Sequence, residues 1–401
     1  MIETDSHILR QVPFHARAVL KAAGNLARGQ LTVTLPNGET LIFTGAAAGK
    51  EAEITIIDYH FAWSIILNGH LGAAESFLRG DWESPDVERV LELFADNREV
   101  FTSVMNGLSF QRLTERIAHG FRKNNRTGSK KNIHFHYDLG NSFYKRWLDP
   151  TMTYSSARFD SPHQDLSAAQ MNKYRSLAHN MDLKPDSNLL EIGCGWGGFA
   201  EYAASEIGCK VTALTISNEQ LAFARERIAS KGLSDRVEVR FQDYRDVTEK
   251  FDRIASIEMF EAVGEQYWPA YFSKVRDCLT PGGLAGLQII TIDDRSFESY
   301  RKGVDFIQRY VFPGGMLPSP SALKRQVSQA GLSWKTNVEF GLDYAETLAR
   351  WRDRFQRAWP EIREMGFDER FRRLWDFYLA YCEAGFRTGN VDVTQLTLSR
   401  P

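Results

Sequence analysis

The sequence has no hydrophobic run that approaches the length needed to span a bilayer, because charged residues interrupt every apolar stretch. The first ten residues, MIETDSHILR, place acids early and contain no apolar core, so they do not predict a secretory signal. Hydrophobic residues make up 43% of the chain and charged residues 25%, which is ordinary for a globular protein. These features predict a cytoplasmic protein of enzyme size.

Cysteine and net charge are also scarce. The 401 residues contain four cysteines, Cys194, Cys209, Cys278 and Cys382, which are scattered without paired spacing. This favours a reducing compartment over a disulfide framework or a zinc site, and we expect no metal. A formal net charge of −2 gives the whole chain no attraction for nucleic acid or an anionic membrane, so any such attraction must be local.

One segment does carry charge of a single sign. From Arg116 to Tyr137 there are six lysines and arginines and no acid, and the Asn-Asn-Arg-Thr-Gly-Ser stretch within it is typical of a loop. The segment is either a solvated linker or a patch that meets phospholipid headgroups. In the second interpretation, each basic residue near an anionic surface contributes on the order of 1 kcal/mol.

Two domains are predicted, with a boundary near residue 125. In residues 1–125, LTVTLPNGETLIF (Leu31–Phe43) alternates like a pair of strands around Asn37-Gly38, a strong hairpin turn. A mainly helical stretch runs from Pro85 to about His119, so this part is expected to be a small α+β domain.

Residues 126–401 show strands that alternate with helices. This pattern predicts an α/β fold with a Rossmann-like, doubly wound and mostly parallel sheet. Ser217 is expected to begin a helix, because Gln220 three residues later gives a capping pattern. The final segment, VDVTQLTLSR, alternates like an edge strand. The other strand-like segments are NLLEI, KVTALTI, VEVRF, RIASIEM and LAGLQIITI.

Three glycines, Gly193, Gly195 and Gly198, follow the first of these strands and open a helix. Glycines there allow a tight turn and let a ligand approach the backbone. Alone, the pattern fits a dinucleotide as well as other nucleotide cofactors. Glu191 stands two residues before the first glycine, and this acidic-x-Gly-x-Gly form resembles class I methyltransferases, which use S-adenosylmethionine.

The ends of the next two strands favour S-adenosylmethionine over NAD. The segment ALTIS has no acid to take the ribose hydroxyls of NAD, and Thr215 and Gln220 can make those contacts instead. Gln242, Asp243 and Tyr244 follow the next strand and are placed to meet the adenine. We therefore expect a methyltransferase-like sheet.

Longer motifs extend this interpretation. HYDLGNSFYKRWLDPTMTYSSA (His136–Ala157), GCGWGG, LTIS-x-EQ, QDYRD, SIEMFEAVG, FPGGMLPS and FGLDYAETLARW resemble the cyclopropane-fatty-acyl-phospholipid synthase family over roughly residues 130–401. The N-terminal domain resembles, more weakly, the extra lipid-binding-type domain of its phospholipid-acting bacterial members. The resemblance implies methyl(ene) transfer from S-adenosylmethionine to the double bond of unsaturated phospholipid acyl chains, with S-adenosylhomocysteine as a product. It also implies a homodimer, peripheral at the inner face of the membrane, and no nucleic-acid partner.

The resemblance also implies residue roles. Aromatic faces can stabilise the sulfonium and the cation formed on the acyl chain. Tyr137 and Tyr154 are favoured for this because they lie in matched motifs. The further candidates for contacts with the cofactor are Ser155, Trp196, Ile216 and Glu258.

The cation must then lose a proton, and in the family a bound bicarbonate accepts it. Glu261 matches the family's Glu, Tyr344 its Tyr and Ile290 its backbone contact, whereas Ser156 replaces a Cys and Gln288 stands near the place of a His. Ser and Gln can donate hydrogen bonds to such an anion, but neither can carry a positive charge.

The product follows from the proton that is lost. Loss from the new methyl group closes a cyclopropane or, after a hydride shift along the chain, leaves a methylene-bearing chain, and loss from a neighbouring chain carbon leaves a methyl-branched alkene. Two other functions stay open. One is a small-molecule methyltransferase with Glu261 as its base, and the other is a non-catalytic lipid-binding protein.

Overall fold

A computed structural model describes residues 3–105 and 139–401. The described chain divides into two compact units. The first contains residues up to 105 with residues 303–306 and 359–388, and the second contains residues 139–302, 307–358 and 389–401. The predicted basic segment, including Tyr137, lies outside the described residues.

The described chain contains helices and strands in both units. The helices are α1 (Glu3–Gln11), α2 (Phe14–Ala23), α3 (His60–Arg79), α4 (Val87–Asp96), α5 (Arg98–Met105), α6 (Asn141–Trp147), α7 (Leu166–Asn180), α8 (Gly198–Tyr202), α9 (Asn218–Ser230), α10 (Trp268–Cys278), α11 (Asp294–Lys302), α12 (Phe306–Tyr310), α13 (Pro320–Gln329), α14 (Gly341–Glu364) and α15 (Glu369–Arg387). The strands are β1 (Arg28–Thr34), β2 (Thr40–Thr44), β3 (Ala47–Ile56), β4 (Trp82–Glu83), β5 (Asn188–Ile192), β6 (Lys210–Thr215), β7 (Val237–Phe241), β8 (Phe251–Ile257), β9 (Leu279–Ile292), β10 (Ser333–Glu339) and β11 (Val391–Ser399). No helix in the described ranges is both long and apolar enough to cross a membrane.

The first unit contains a four-stranded sheet in the order β2-β1-β3-β4. Strands β1 and β2 pair antiparallel with Leu31 opposite Phe43, and Gly38 in the turn has a φ of +85°. This confirms the hairpin predicted at Asn37-Gly38. Leu31 and Phe43 are buried and alternate with more exposed residues, so one face of the hairpin packs into the unit.

Helix α15 also packs in the first unit, although it lies far along the sequence. Its Phe377 ring lies 5.5 Å from the Phe77 ring. Arg387 bonds Glu383 over 2.7 Å and pairs with Glu88 over 3.3 Å. The unit boundaries therefore differ from the sequence boundary at residue 125, which assigned this helix to the second domain. A boundary placed at one position in the sequence cannot account for a helix that lies beyond it in sequence but packs against residues that precede it.

The second unit contains a seven-stranded sheet in the order β10-β11-β9-β8-β5-β6-β7. Strands β5 to β9 pair in parallel, and β11 is antiparallel to both of its neighbours. Leu189 and Leu190, successive residues of β5, belong to different buried clusters, so the sheet is covered on both faces. The predicted doubly wound, mostly parallel α/β fold is confirmed.

The prediction of an edge strand at the C-terminus is wrong, because β11 lies between β9 and β10. Its last seven residues are all buried, including the polar Gln395 and Thr397. Gln395 donates from Nε2 to the backbone oxygen of Lys173 and to Oε1 of Gln288, both over 3.1 Å. Alternation suggested a face exposed to water, but the side chains of Gln395 and Thr397 find buried partners instead.

Candidate active site at the carboxyl edge of the sheet

In a doubly wound sheet, ligands bind beyond the carboxyl ends of the parallel strands. The loop between β5 and α8 lies there. Gly193, Gly195 and Gly197 have φ values of +81°, +53° and +81°, in the left-handed region that favours glycine. A Cβ at Gly193 would lie 2.7 Å from Cγ of Met259, whereas a Cβ at Gly195 would have no atom within 4 Å. The loop thus packs closely at one glycine and leaves open space at another.

Gly198 and Glu191 flank this loop, and both are buried. A Cβ at Gly198 would lie 2.5 Å from the hydroxyl oxygen of Tyr174, so the start of α8 requires glycine for close packing. Oε2 of Glu191 has no hydrogen-bond partner among the described residues, and burial raises the pKa of this carboxyl to about 8. A buried acceptor of this kind is costly alone, and a donor on a ligand would satisfy it.

Thr215 and Gln220 meet at the end of β6. The Thr215 hydroxyl donates to Oε1 of Gln220 over 2.9 Å and accepts the backbone N–H of Ser217 over 3.1 Å. Ser217 caps α9 by accepting the N–H of Gln220 over 3.3 Å, which confirms the predicted capping pattern. Ile216 connects the strand to this cap.

The next candidates, Gln242, Asp243 and Tyr244, follow β7. The backbone N–H of Gln242 donates to the oxygen of Thr215 over 3.1 Å, which ties the ends of β6 and β7 together. Asp243 accepts from Nε and Nη2 of Arg245 over 2.9 and 2.6 Å, so its carboxylate belongs to an ion pair within its own turn. Burial raises the pKa of the Tyr244 hydroxyl to about 12.

Tyr154 and Trp196 belong to one cluster of aromatic rings. The Tyr154 ring lies 5.3 Å from Trp351 and 5.5 Å from Tyr144, and Tyr144 lies 5.0 Å from Trp196. Tyr144, Trp147 and Trp351 are fully buried, and the sequence analysis did not single them out. Their positions inside the matched motifs were the available signal.

Glu258 follows β8, and its carboxylate is the centre of a hydrogen-bond network. Oε1 accepts the backbone N–H of Ser156 over 2.9 Å and Nε2 of Gln288 over 2.7 Å, and Oε2 accepts the Tyr344 hydroxyl over 2.5 Å. Burial raises the pKa of Glu258, and these hydrogen bonds and the charge of Lys173 oppose the rise. Three residues predicted around an anion thus surround a carboxylate of the chain itself.

Lys173, on α7, is a residue that the sequence analysis missed. It is fully buried, and its Nζ donates to the Ser155 hydroxyl over 2.7 Å. Burial lowers the pKa of this ammonium to about 7, and Glu258 is the first of the acids that oppose the shift. When protonated, Lys173 supplies a positive charge that Ser156 and Gln288 cannot. A helical lysine carries no sequence signal for this, because only the fold buries it.

Glu261 lies one short turn beyond Glu258. Its Oε1 accepts the backbone N–H of Ile290 over 2.6 Å, and its Oε2 has no partner within the described ranges. Burial, followed by the charge of Glu258, raises the pKa of Glu261 to about 8. The two carboxyl groups therefore differ, since Glu258 has three donors and a nearby ammonium whereas Glu261 has one donor.

We expect Glu261→Gln to stabilise the protein increasingly as pH rises from about 5 to 8. The pKa of Glu261 is raised from 4.5 to about 8 on folding, so the native state binds the extra proton in this window and loses stability as pH increases. Glutamine removes this titration, and the gain in unfolding free energy should approach but not exceed about 1.4 kcal/mol per pH unit. Urea denaturation at several pH values measures it. The control Glu226→Gln, at an exposed position of α9, should keep the wild-type dependence of unfolding free energy on pH. A difference in unfolding free energy between Glu261→Gln and the wild type that does not change with pH would contradict the prediction.

Comparisons with known proteins show the family of this chain. The family described as mycolic acid cyclopropane synthetase matches residues 124–396. The tuberculostearic acid methyltransferase of Mycobacterium tuberculosis is 39% identical over 83% of this chain and 79% of its own. The cyclopropane-fatty-acyl-phospholipid synthase of Escherichia coli is 36% identical over 87% of this chain and 88% of its own.

Solved structures show the same architecture. The cyclopropane synthase MmaA2 from Mycobacterium tuberculosis is similar with a TM-score of 0.64 and 29% identity, over 67% of this chain and 98% of that one. The mycolic acid cyclopropane synthase CmaA1 complexed with SAH and CTAB gives the same values. The class I methyltransferase fold and the family resemblance inferred from the motifs are confirmed. The chain belongs to the mycolic acid cyclopropane synthetase family of S-adenosylmethionine-dependent methyltransferases.

Proposed function

We propose that this enzyme transfers a methyl group from S-adenosylmethionine to the double bond of an unsaturated phospholipid acyl chain. The proposal rests on two features that lie at the same edge of the sheet. The glycine loop, with open space at Gly195, follows β5, and the hydrogen-bond network of Glu258 follows the neighbouring strand β8. Adjacent ends of parallel strands place the two features close together, as a reaction between two bound molecules requires.

The residues at the loop fit S-adenosylmethionine. Gly195 has open space where a ligand can approach the backbone, and Glu191 has a buried oxygen that a ligand donor would satisfy. Thr215 and Gln220 follow the next strand, where ribose hydroxyls would lie. The cofactor would supply an electrophilic methyl group on a sulfonium. The remaining proposed contacts are Gly193, Gly198, Ser155, Ile216, Gln242, Asp243, Tyr244 and, outside the described residues, Tyr137.

Aromatic rings and buried carboxyl groups at this edge have separate roles in the proposed reaction: the rings stabilise positive charge, and the carboxyl groups accept a proton. Tyr154 and Trp196 present ring faces that can stabilise a sulfonium or a cation on the acyl chain without acting as nucleophiles. Glu258 and Glu261 are two carboxyl groups at this edge that can accept a proton when they are ionised. The catalytic set proposed from the motifs is Ser156, Glu261, Gln288 and Tyr344. We add Glu258, which the motifs assigned to cofactor contacts, because its carboxylate accepts hydrogen bonds from three of these residues.

Incubation of the protein with unsaturated phospholipid vesicles and S-adenosylmethionine carrying a CD3 group tests the proposal. We expect acyl methyl esters that have gained one carbon, detected by mass spectrometry. A cyclopropane would retain two deuterium atoms and no double bond, a methyl-branched alkene three deuterium atoms, and a methylene-bearing chain two together with a double bond. Vesicles of saturated phospholipid are the control. The absence of a one-carbon gain, or methylation of soluble acceptors alone, would overturn the proposal.

A methyl-branched or methylene-bearing product is the second candidate. Its support is the relative that is 39% identical, which is named as a methyltransferase of a fatty acid and not as a cyclopropane synthase. The relative named as a cyclopropane-fatty-acyl-phospholipid synthase, which is 36% identical, supports a cyclopropane as the product. The number of retained deuterium atoms, read together with the double bond, separates the two.

The proposed substrate also implies where in the cell the enzyme acts. A phospholipid substrate requires contact with the inner face of the membrane, and the basic segment Arg116–Tyr137 has the charge for anionic headgroups. We further propose a cytoplasmic homodimer in which residues 1–125, with α15 packed in the same unit, form the lipid-binding-type domain, and the rest of residues 126–401 form the methyltransferase domain. Co-sedimentation with the same vesicles and analytical ultracentrifugation measure membrane association and oligomeric state.

A further inference from the structure

Glu258 holds its carboxylate among the groups that the family resemblance assigns to a bound anion. The N–H of Ser156 and the amide of Gln288 donate to Oε1 over 2.9 and 2.7 Å, and the Tyr344 hydroxyl donates to Oε2 over 2.5 Å. A side-chain carboxylate and bicarbonate present the same kind of acceptor. Three donors expected to hold bicarbonate are therefore already satisfied by the chain.

The fourth expected donor is also engaged. The backbone N–H of Ile290 donates to Oε1 of Glu261 over 2.6 Å. An anion placed among these groups would have to displace two carboxylates and then lie beside them, with like charges in a low-dielectric site. The arrangement therefore does not fit a resident bicarbonate.

The donors are fixed in orientation by their own partners. Oε1 of Gln288 accepts Nε2 of Gln395 over 3.1 Å, so the Gln288 amide must present its NH2 group to Glu258. The Ser156 hydroxyl donates to the oxygen of Ala157 over 2.8 Å, so this residue offers its backbone N–H instead of its side chain. A preorganised set of donors of this kind favours a carboxylate in one place.

The backbone at Glu258 shows that the position is constrained. Its φ is +49°, in the left-handed region that residues with a Cβ rarely adopt. Such conformations persist where the surrounding structure over-determines them, and they cluster at active sites. Here the conformation turns the chain at the end of β8 and directs the carboxylate to its three donors.

We propose that Glu258 is the proton acceptor of the reaction and takes the place of a bound bicarbonate. This inference rests on the proposed methyl transfer to an alkene. When methyl transfer leaves a cation on the acyl chain, a C–H bond breaks and its electron pair forms the last ring bond or a new C=C bond. The proton goes to a carboxylate oxygen of Glu258, and no other reactant is consumed. Of the roughly four lone-pair directions of a carboxylate, three accept protein donors, which leaves one for this proton.

The two neighbouring carboxyl groups have environments that suit different protonation states. Three hydrogen bonds and the charge of Lys173 oppose the rise in the pKa of Glu258. Glu261 has one such hydrogen bond, and its pKa rises to about 8. Two neighbouring ionised carboxylates repel each other, and the three donors and the ammonium near Glu258 favour its ionised form over that of Glu261, which accepts the N–H of Ile290.

The first experiment measures bicarbonate with the wild-type chain. A titration with 13C-bicarbonate, followed by NMR in the presence of S-adenosylhomocysteine, should show no saturable binding. Product formation in buffer purged of CO2 should stay within about twofold of that in bicarbonate-containing buffer. Two results would overturn the inference. One is saturable bicarbonate binding that buffer anions do not displace, and the other is a fall in product formation of more than about tenfold in purged buffer that added bicarbonate restores.

The second experiment uses two substitutions of Glu258. Glu258→Gln keeps the shape and one acceptor oxygen but cannot accept the proton, so product formation should fall about 100-fold or more. Glu258→Gly removes the carboxylate at a backbone conformation that glycine adopts readily. It should show a similar loss, bind 13C-bicarbonate and be partly rescued by bicarbonate or acetate. Glu258→Gln should not be rescued, because its amide still occupies the donors.

Circular dichroism and urea denaturation of both variants check that they fold. Glu258→Gln with near wild-type turnover would overturn the inference, as would Glu258→Gly that neither binds bicarbonate nor responds to acetate. Failure of the proposed function looks different. In that case the wild-type chain adds no carbon to any acyl chain, while the bicarbonate titrations of the wild type and Glu258→Gly still report whether the carboxylate occupies the anion site.

Discussion

Replacing Gly195 with alanine is expected to weaken the binding of S-adenosylmethionine about tenfold to 100-fold. The structure leaves no atom within 4 Å of a Cβ at this position, so the methyl group would not clash with the protein. The group would instead occupy the space where the cofactor approaches the backbone of the loop. An extra methyl(ene) group in a binding site costs about 1–3 kcal/mol, which gives the expected range. Isothermal calorimetry with S-adenosylmethionine or S-adenosylhomocysteine measures the change.

A matched substitution separates the ligand from the backbone. Gly195 has a φ of +53°, and Gly232, which follows α9, has a φ of +67° with no atom within 4 Å of a Cβ. Alanine at either position should cost about 1–2 kcal/mol of unfolding free energy because of the left-handed conformation. Only Gly195→Ala should reduce cofactor affinity. Equal affinities for the two variants would show that the cofactor does not approach this glycine.

Trp351→Ala is expected to lower the unfolding free energy by about 3–5 kcal/mol and to reduce turnover beyond the loss of folded protein. The indole is fully buried, and its ring lies 5.3 Å from Tyr154, 5.7 Å from Trp147 and 6.3 Å from Tyr344. Removing a buried tryptophan leaves a large space that neighbours fill only in part. Because Tyr344 donates to Glu258, loosening its ring should also disturb the carboxylate.

Urea denaturation and steady-state kinetics on the folded variant measure these two effects. Trp63→Ala is a control for loss of an indole, since Trp63 is 47% exposed and stacks on His15 in the first unit. It should cost about 1 kcal/mol, as expected for one exposed aromatic pair. Trp351→Phe should recover part of both the stability and the turnover. A stability loss for Trp351→Ala no larger than for Trp63→Ala would contradict the packing argument.

Local patterns predicted the elements that depend on neighbours in sequence. The hairpin at Asn37-Gly38 and the cap at Ser217 each depend on contacts within a few residues. The glycine loop was also found from a local pattern, a strand followed by glycines and a helix. Conformations of this kind are set by φ/ψ preferences and nearby hydrogen bonds, which single residue types specify.

Long-range pairing decided what local patterns left open or assigned wrongly. Strand β11 alternates like an edge strand, but it lies inside the sheet because β10 covers its outer side. Helix α15 follows the methyltransferase-like segments in sequence and packs in the first unit. Neither placement depends on the element's own residues alone, since both depend on which distant surface buries its apolar face.

The sequence by itself determined that the chain has a doubly wound sheet and a glycine loop, that it uses S-adenosylmethionine, and that Ser156 and Gln288 differ from the residues that the family resemblance leads one to expect. The tertiary structure decided what that departure means. Ser156 and Tyr344 reach Glu258 from 102 and 86 residues away, and Lys173 is buried beside it. A carboxylate acquires a function from the donors and charges around it, and folding brings these together from distant parts of the chain. The sequence therefore indicated the cofactor, whereas only the fold identified the carboxylate that we propose as the proton acceptor.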